Sequence, residues 1–199
     1  MTTQYTEMQL DALREVANIG SGNAATALAA MLGRPVDLSC PYVYAKPLAE
    51  AVESVGPAEL EVTAILIQVI GDLETMVVLM FNENDSRVLC EALGVEAGTE
   101  VGVSALCEIG NILGASYLSA LAMMTGIDLE PAPPIAVEDM LGAILSSVLA
   151  LGASQTDTAL LLDSRLLVEG SDANFSFMFL VNPGAKGIGS LLERLGLGS

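Results

Sequence analysis

The sequence contains no histidine, no tryptophan and only two lysines, Lys46 and Lys186. Without histidine the chain cannot form a Ser-His-Asp or Cys-His nucleophile system, and it lacks the commonest zinc ligand and the usual general base near neutral pH. The three cysteines, Cys40, Cys90 and Cys107, are odd in number, widely spaced and form no C-x-x-C motif. We therefore interpret them as buried free thiols in a reducing compartment, and we predict that the chain binds no metal.

Positive charge is scarce: 7 Lys and Arg residues stand against 25 Asp and Glu residues, for a net charge of −18. So few cations cannot line a nucleic-acid groove, which excludes nucleic acid as a partner. An acidic surface on a chain that is 52% apolar suits a very salty cytoplasm, because a Debye length of ~3 Å at 1 M salt screens the self-repulsion. We interpret the protein as halophilic; an ordinary acidic protein is the alternative.

Long apolar runs are also missing. The most apolar stretches, at 64–70 and 143–153, are shorter than the ~20 residues that a helix needs to cross a bilayer. The first ten residues, MTTQYTEMQL, are polar and mixed and do not resemble a secretion signal. We therefore predict a cytoplasmic protein with no membrane insertion.

The clearest positive feature is an internal repeat. A shift of 93 positions, without a gap, superimposes residues 11–41 on residues 104–134. The identical pairs include Ala12 and Ala105, Leu13 and Leu106, Glu15 and Glu108, Asn18 and Asn111, and Ile19 and Ile112. We interpret this as an internal duplication, with repeat 1 at about 7–96 and repeat 2 at about 100–198. Neither half has enough core to stand alone, so we predict one pseudo-twofold domain over residues 1–199.

Each repeat predicts the same order of elements: a long helix ended by glycine, an extended stretch, a second helix, a β-hairpin and a closing helix. The predicted ranges are 7–32 and 100–125 for the long helix, 36–40 and 127–130 for the extended stretch, 48–54 and 135–150 for the second helix, 61–70 with 74–82 and 158–169 with 174–182 for the hairpin, and 84–94 and 185–196 for the closing helix. Helices mixed with hairpins predict an α+β fold, with an antiparallel sheet and two long motif-bearing helices.

Polar side chains repeat on the solvent side of each long helix. At about 100° per residue, Asp11, Glu15 and Asn18 fall on one narrow stripe. The equivalent residues of the second long helix are Ser104, Glu108 and Asn111. Any amphipathic helix exposes a polar stripe, but asparagine in a helix interior costs roughly 0.5–0.7 kcal/mol relative to alanine. Because Glu and Asn recur at the same register in both halves, we favour a functional site.

The motifs D-x-x-x-E-x-x-N at 11–18 and S-x-x-x-E-x-x-N at 104–111, each followed after 22 residues by proline, resemble the signature of the CheC family of chemotaxis phosphatases. The flanking segments NIGSGNAATAL (18–28) and GNILGASYLSAL (110–121) are similar to that family too. The resemblance covers essentially the whole chain. It implies an enzyme that removes phosphate from the aspartyl phosphate of a CheY-type response regulator.

The resemblance also implies that the response regulator supplies its own Mg²⁺ and an active-site lysine, so this chain needs no cofactor. A carboxamide donates and accepts hydrogen bonds at once and can orient an attacking water without titrating. We therefore predict that Asn18 and Asn111 position the water. Glu15 and Glu108 lie one turn earlier on the same face, and we expect them to pair with the regulator's lysine.

The remaining motif residues receive lesser roles. By the resemblance, Asp11 and Ser104 belong to the motif, and we expect them to tune docking or to pack at the rim. Pro41 and Pro134 are interpreted as structural residues that turn the segment after the long helix.

A binding role is the alternative function. The resemblance implies that a CheC-like protein can act as an adaptor for CheD, a receptor-modifying deamidase, through the helix in the middle of repeat 2. In this chain that helix is predicted at 135–150, and Asp139 is the residue that we match to the CheD contact. A structural component of the flagellar or archaellar switch is a third possibility.

Overall fold

The computed structural model describes residues 5–73, 75–152, 158–181 and 187–198. Within these ranges the chain forms six helices and eight strands. The order is α1 (Glu7–Leu32), β1 (Val36–Leu38), β2 (Tyr42–Pro47), α2 (Leu48–Val55), β3 (Glu61–Gly71), β4 (Thr75–Phe81), α3 (Glu83–Ala92), α4 (Glu100–Thr125), β5 (Leu129–Pro131), β6 (Ile135–Met140), α5 (Leu141–Gly152), β7 (Thr158–Val168), β8 (Asn174–Val181) and α6 (Ile188–Arg194). The predicted α+β class is confirmed.

The strands form one antiparallel sheet in the order β1-β7-β8-β4-β3-β5, with β2 also pairing with β7 and β6 with β3. Alternate residues of each strand point to opposite faces. On β4, Val77, Leu79 and Phe81 join the core that includes α1 and α4. Val78 and Met80 join a second core with α2 and α5. The molecule therefore has three layers, and the long helices lie on one face of the sheet.

The two long helices begin and end in the same way. Each has a threonine N-cap, Thr6 or Thr99, whose side chain accepts a hydrogen bond from a backbone amide of the first turn. Each ends at a glycine in the left-handed region, Gly33 with φ 62° and Gly126 with φ 68°. These local signals account for the agreement between the predicted ranges, 7–32 and 100–125, and the observed helices.

The strand registers of the two repeats correspond position by position. Val36 pairs with Val168 and Leu129 with Gly71; Tyr42 pairs with Asp163 and Ile135 with Leu66. In the first strands the equivalent residues, Val36 with Leu129 and Tyr42 with Ile135, are 93 positions apart in sequence. In the hairpin strands, Gly71 with Val168 and Leu66 with Asp163 are 97 positions apart. At the centre of the sheet β4 pairs antiparallel with β8. These matched registers support the proposal that the domain arose by internal duplication.

The helix predicted at 135–150 is wrong in its first part. Residues 135–140 form the edge strand β6, and helix α5 begins at Leu141. Strand β2 at 42–47, in the equivalent position of repeat 1, was not predicted either. Pairing with β3 satisfies the backbone of β6, and Ile135 and Val137 are β-branched residues that favour strands. The helical spacing of apolar residues in α5 does not extend back to Ile135.

The interpretation of the cysteines as buried thiols is right for Cys90, but Cys107 is half-buried and Cys40 is exposed. All three are free. Burial raises the pKa of Cys90 and of Cys107, so the neutral thiol is favoured at both positions.

By length and composition alone, α4 is the one described helix that could cross a membrane. In the structure its apolar side instead packs in the core. Leu106, Ile109 and Leu113 are buried there together with residues of α1 and of the sheet. The core helix of a globular domain can have the same length and apolar composition as a membrane-spanning helix. The packing of α4 in the core explains its apolar composition.

Candidate functional site

Each long helix presents its motif residues to solvent. On α1, Asp11, Glu15 and Asn18 are exposed, whereas Leu13 and Ala17 are buried. On α4 the exposed residues are Ser104, Glu108 and Asn111, and the buried ones include Leu106 and Ile109. We call these two exposed rows the α1 ridge (Asp11, Glu15, Asn18) and the α4 ridge (Ser104, Glu108, Asn111). Both ridges are accessible to a protein partner.

The Glu and Asn side chains of the ridges are not used by the fold. Within the described part of the chain, no hydrogen bond or ion pair involves the side chains of Glu15, Asn18, Glu108 or Asn111. Residues three positions apart on a helix are neighbours, with Cβ atoms about 5–6 Å apart. Each ridge therefore offers a carboxylate and a carboxamide that can contact one partner at the same time.

The ridges stand on helices that are packed very closely. A Cβ atom added at Gly20 of α1 would lie 2.5 Å from the ring of Tyr117 on α4. Tyr117 is only 1% exposed, and its ring centroid lies 5.1 Å from that of Phe177 and 5.0 Å from that of Phe179. At Gly110, an added Cβ would lie 2.5 Å from Ile65 of β3. Such packing leaves little room for movement, which pre-organises the side chains above it.

The first residues of the two motifs make different contacts. Asp11 forms an ion pair with Arg14, three residues later on the same helix. Both side chains are substantially exposed, so the pair contributes at most about 1 kcal/mol. The hydroxyl of Ser104 donates to the carbonyl oxygen of Glu100 at 2.8 Å. The two ridges thus differ in charge at this position, and the expected tuning of docking stays a prediction.

The two prolines lie away from the helices, at the starts of edge strands. Pro41 is buried and immediately precedes β2, and Pro134 is half-buried and immediately precedes β6. Proline lacks an N–H group and is tolerated where a strand begins. These positions agree with a structural role for both residues.

The sequence predicted that Asp139 lies on a helix, but it does not. It lies on strand β6, where it is exposed and its Oδ1 accepts a hydrogen bond from the backbone amide of Met140 at 2.7 Å. Helix α5 begins only at Leu141. The expectation that Asp139 is part of a helical CheD contact is therefore wrong in its geometry.

Comparison with known proteins places this architecture in a family. The CheC-like family profile matches residues 8–44 and 101–138, which contain both ridges. The CheY-P phosphatase CheC of Bacillus subtilis (strain 168) is 31% identical over 198 residues, covering 96% of this chain and 95% of that protein. The chain therefore belongs to the CheC-like family.

Solved structures share the fold at lower identity. Thermotoga maritima FliY aligns with a TM-score of 0.76 and 18% identity, covering 99% of this chain and 100% of that chain. A chain of the FliM–SpeE complex from H. pylori aligns with a TM-score of 0.71 and 11% identity, covering 97% of both chains. At these identities the likeness concerns the fold alone.

Proposed function

We propose that this protein hydrolyses the aspartyl phosphate of a CheY-type response regulator in the cytoplasm. The observation that carries the proposal is the pair of exposed ridges, each with a Glu and an Asn that the fold itself does not use. Support comes from the 31% identical relative, which is a CheY-P phosphatase.

The proposed reaction requires few catalytic groups from this chain. An acyl phosphate is already reactive, and phosphoryl transfer gives a protein mostly positioning and charge stabilisation to do. The carboxamide of Asn18 or Asn111 accepts a hydrogen bond from a water and holds its oxygen in line with phosphorus. The water oxygen bonds to phosphorus as the bond to the regulator's aspartate breaks, and the products are a free carboxylate and inorganic phosphate, which takes up both protons of the water.

The carboxylates of the ridges would fix the complex. Glu15 or Glu108, one turn from the asparagine, pairs with the regulator's active-site lysine in a charge-assisted hydrogen bond. The Mg²⁺ ion that supports the reaction belongs to the regulator, so no cofactor is assigned to this chain. Two ridges imply two working sites.

The test is a pair of amide truncations, Asn18→Ala with Asn111→Ala. Asn23→Ala is the matched control, because Asn23 is also exposed on α1 but its amide donates to the carbonyl of Ile19 at 2.9 Å. Decay of the phosphorylated regulator is followed with Mg²⁺ in molar potassium chloride, the condition that the acidic surface suggests. We expect the double variant to lose at least about 100-fold in rate, and the control to keep the full rate. An undiminished rate in the double variant would exclude the amide mechanism.

An adaptor function is the second candidate, because the fold is shared with FliY and with a chain of the FliM–SpeE complex. An adaptor would bind CheD or a motor-switch component tightly and release negligible phosphate. Binding to each protein is measured by calorimetry on the wild type and on the Asn18→Ala, Asn111→Ala variant. Asp139→Lys serves as a probe of CheD binding at strand β6. Lost turnover with intact binding would show that the two roles are separate.

A further inference from the structure

A cleft of about 1140 Å³ opens beside the first turns of α4. Its walls are one face of α3, the linker from Gly94 to Gly98, Val103 and Leu106 of α4, and the adjoining ends of β3 and β6. Six acidic residues line it: Glu61, Glu83, Glu91, Glu96, Glu138 and Asp139; on β6, Glu138 and Asp139 point to opposite faces of the sheet. We call this the acidic cleft.

Among the residues that the structure describes, the one cation lining the acidic cleft, Arg87, is already engaged. Arg87 donates from Nη1 to both carboxylate oxygens of Glu91, at 3.0 and 3.1 Å, and from Nη2 to Oδ1 of Asn84 at 2.8 Å. Within the described residues the other five carboxylates have no ion pair. The cleft therefore carries a large uncompensated negative charge, which attracts cations.

A buried acceptor in the same wall is also left without a donor. Ser86 is only 7% exposed, it lines the cleft, and its Oγ has no hydrogen-bond partner among the described residues. An unsatisfied buried hydroxyl costs free energy and is rare in native structures. A hydrogen-bonding group that reaches the hydroxyl from the cleft would satisfy it. This observation is independent of the carboxylates.

Strand pairing brings two of the carboxylates close together. Thr63 lies opposite Glu138, and Glu61 lies opposite Met140. Glu61 and Glu138 are therefore diagonal neighbours on one face of the sheet, at a separation of about 7–8 Å. That spacing allows one guanidinium group, or two successive cationic side chains, to interact with both.

The acidic cleft takes residues from both repeats: Glu61, Glu83 and Glu91 lie in repeat 1, and Glu138 and Asp139 lie in repeat 2. At the equivalent backbone positions of the other repeat, Thr158 stands in place of Glu61, and Lys46 stands in place of Asp139. Ala45 stands in place of Glu138. The pair Glu61 and Glu138 therefore has no acidic counterpart at the equivalent strand positions.

We propose that the acidic cleft receives a lysine- or arginine-bearing segment of the protein that docks on the α4 ridge; this rests on the proposed function. The carboxylates bind the cationic groups, and the hydroxyl of Ser86 accepts one N–H. Val103, Leu106 and Met140 contact the aliphatic stems, which lysine and arginine bury along apolar surface. The cleft thereby gives the second site a docking contact that the first site lacks.

The test measures binding directly, with a fluorescein-labelled hexa-arginine peptide and fluorescence anisotropy. The cleft variant is Glu61→Gln with Glu138→Gln. The matched control is Asp37→Asn with Glu169→Gln, which removes the same charge from two exposed carboxylates at the β1–β7 end of the sheet. We expect the cleft variant to bind about tenfold more weakly and the control to change less than twofold. Equal loss in both variants, or no saturable binding to the wild type, would overturn the proposal.

Ser86→Ala supplies a second, independent readout. Removing an unsatisfied hydroxyl should leave the melting temperature unchanged or raise it, while peptide binding weakens. Unchanged binding would mean that Ser86 takes no part in the site and would count against the proposal.

Spermine is titrated in parallel. If spermine binds more tightly than the peptide, with the same dependence on Glu61 and Glu138, the proposal is overturned in favour of a polyamine site. The anisotropy needs no turnover, so a protein without phosphatase activity would refute the proposed function and leave this result standing.

Discussion

The two repeats share their backbone registers but fill the same space with different side chains. At one of two equivalent contacts between a long helix and the sheet, Ser21 of α1 and Ser164 of β7 are buried with their hydroxyl oxygens 2.7 Å apart. At the equivalent place, α4 has Gly114 and β3 has Ile67, and a Cβ on this glycine would lie 2.8 Å from Cδ1 of Ile67. Two small polar side chains at one contact thus correspond to a glycine and a large apolar side chain at the other. The backbone path and the filled volume are retained while the residues change.

The Glu and Asn positions of the ridges behave in the opposite way. Glu15 and Glu108 are identical, as are Asn18 and Asn111, although all four are exposed and make no contact that the fold requires. Packing explains retention at buried positions, but it places no demand on an exposed asparagine within a helix. The retention of these exposed pairs, where packing makes no demand, is what a binding or catalytic surface produces.

The largest expected effect tests how closely helices α1 and α4 pack against each other. Gly20 and Ala24 of α1 are small, whereas their equivalents Leu113 and Tyr117 on α4 are large, and all four are buried. Gly20→Ala would place a methyl group against the buried ring of Tyr117. We expect a loss of about 1–3 kcal/mol in the free energy of unfolding, measured by urea denaturation.

Gly22→Ala is the control for that variant. No atom lies within 4 Å of a Cβ added at Gly22, so replacing a helical glycine should stabilise the protein by about 0.5–1 kcal/mol. If the two variants were equally stable, the contact between Gly20 and Tyr117 would be looser than the structure indicates.

The next effect concerns the buried serine pair. Ser164→Ala leaves the hydroxyl of Ser21 without its partner, which should cost about 1–3 kcal/mol. Replacing both serines by alanine should cost less than the sum of the two single changes, because no unpaired hydroxyl remains. A double-mutant cycle on the unfolding free energies measures this coupling. Strictly additive values would show that the pair is only a packing contact.

A pH-dependent effect comes from Asp163, which is 2% exposed and stands where repeat 1 has Leu66. Burial raises the pKa of Asp163, and this outweighs the opposing effects of Arg165 and of a hydrogen bond with Ser176. Because the pKa is higher in the folded than in the unfolded state, the stability that this group contributes is complete below about pH 4 and is lost as pH rises through the folded pKa. Ionised Asp163 therefore weakens the fold near neutral pH.

Asp163→Asn should accordingly stabilise the protein most at neutral pH. The measured quantity is the difference in unfolding free energy between variant and wild type, which we expect to grow as pH rises from about 4 and then level off. A difference that is constant with pH would mean that Asp163 titrates normally. Asp37→Asn, at an exposed carboxylate, gives the baseline for removing one surface charge.

The sequence was informative where the determining contacts are local. Helix caps, turn residues and periodicity lie within a few positions of one another, and so do Glu15 and Asn18, which made the long helices, the hairpins and the ridges predictable. Strands β2 and β6 were missed because their conformation is decided by pairing with strands that are distant in sequence. The acidic cleft was missed for the same reason: its carboxylates come from segments spread over residues 61–139.

The smallest expected effect compares the two sites directly. Asn111→Ala leaves only the α1 ridge complete, and Asn18→Ala leaves only the α4 ridge complete. If both sites work independently, each single variant should keep about half of the maximal rate of dephosphorylation, a difference of roughly 0.4 kcal/mol. A single variant without activity would instead assign catalysis to one ridge.

The salt dependence of KM separates the sites further. With Asn18→Ala, turnover occurs beside the acidic cleft, so KM for the regulator should rise with potassium chloride as the docking charges are screened. With Asn111→Ala, turnover occurs at the α1 ridge, where Ala45 and Thr158 stand at the positions equivalent to Glu138 and Glu61, and KM should change less. Equal salt dependence in the two variants would mean that the asymmetric charge has no part in docking, and that the repeats are equivalent in function despite their different side chains.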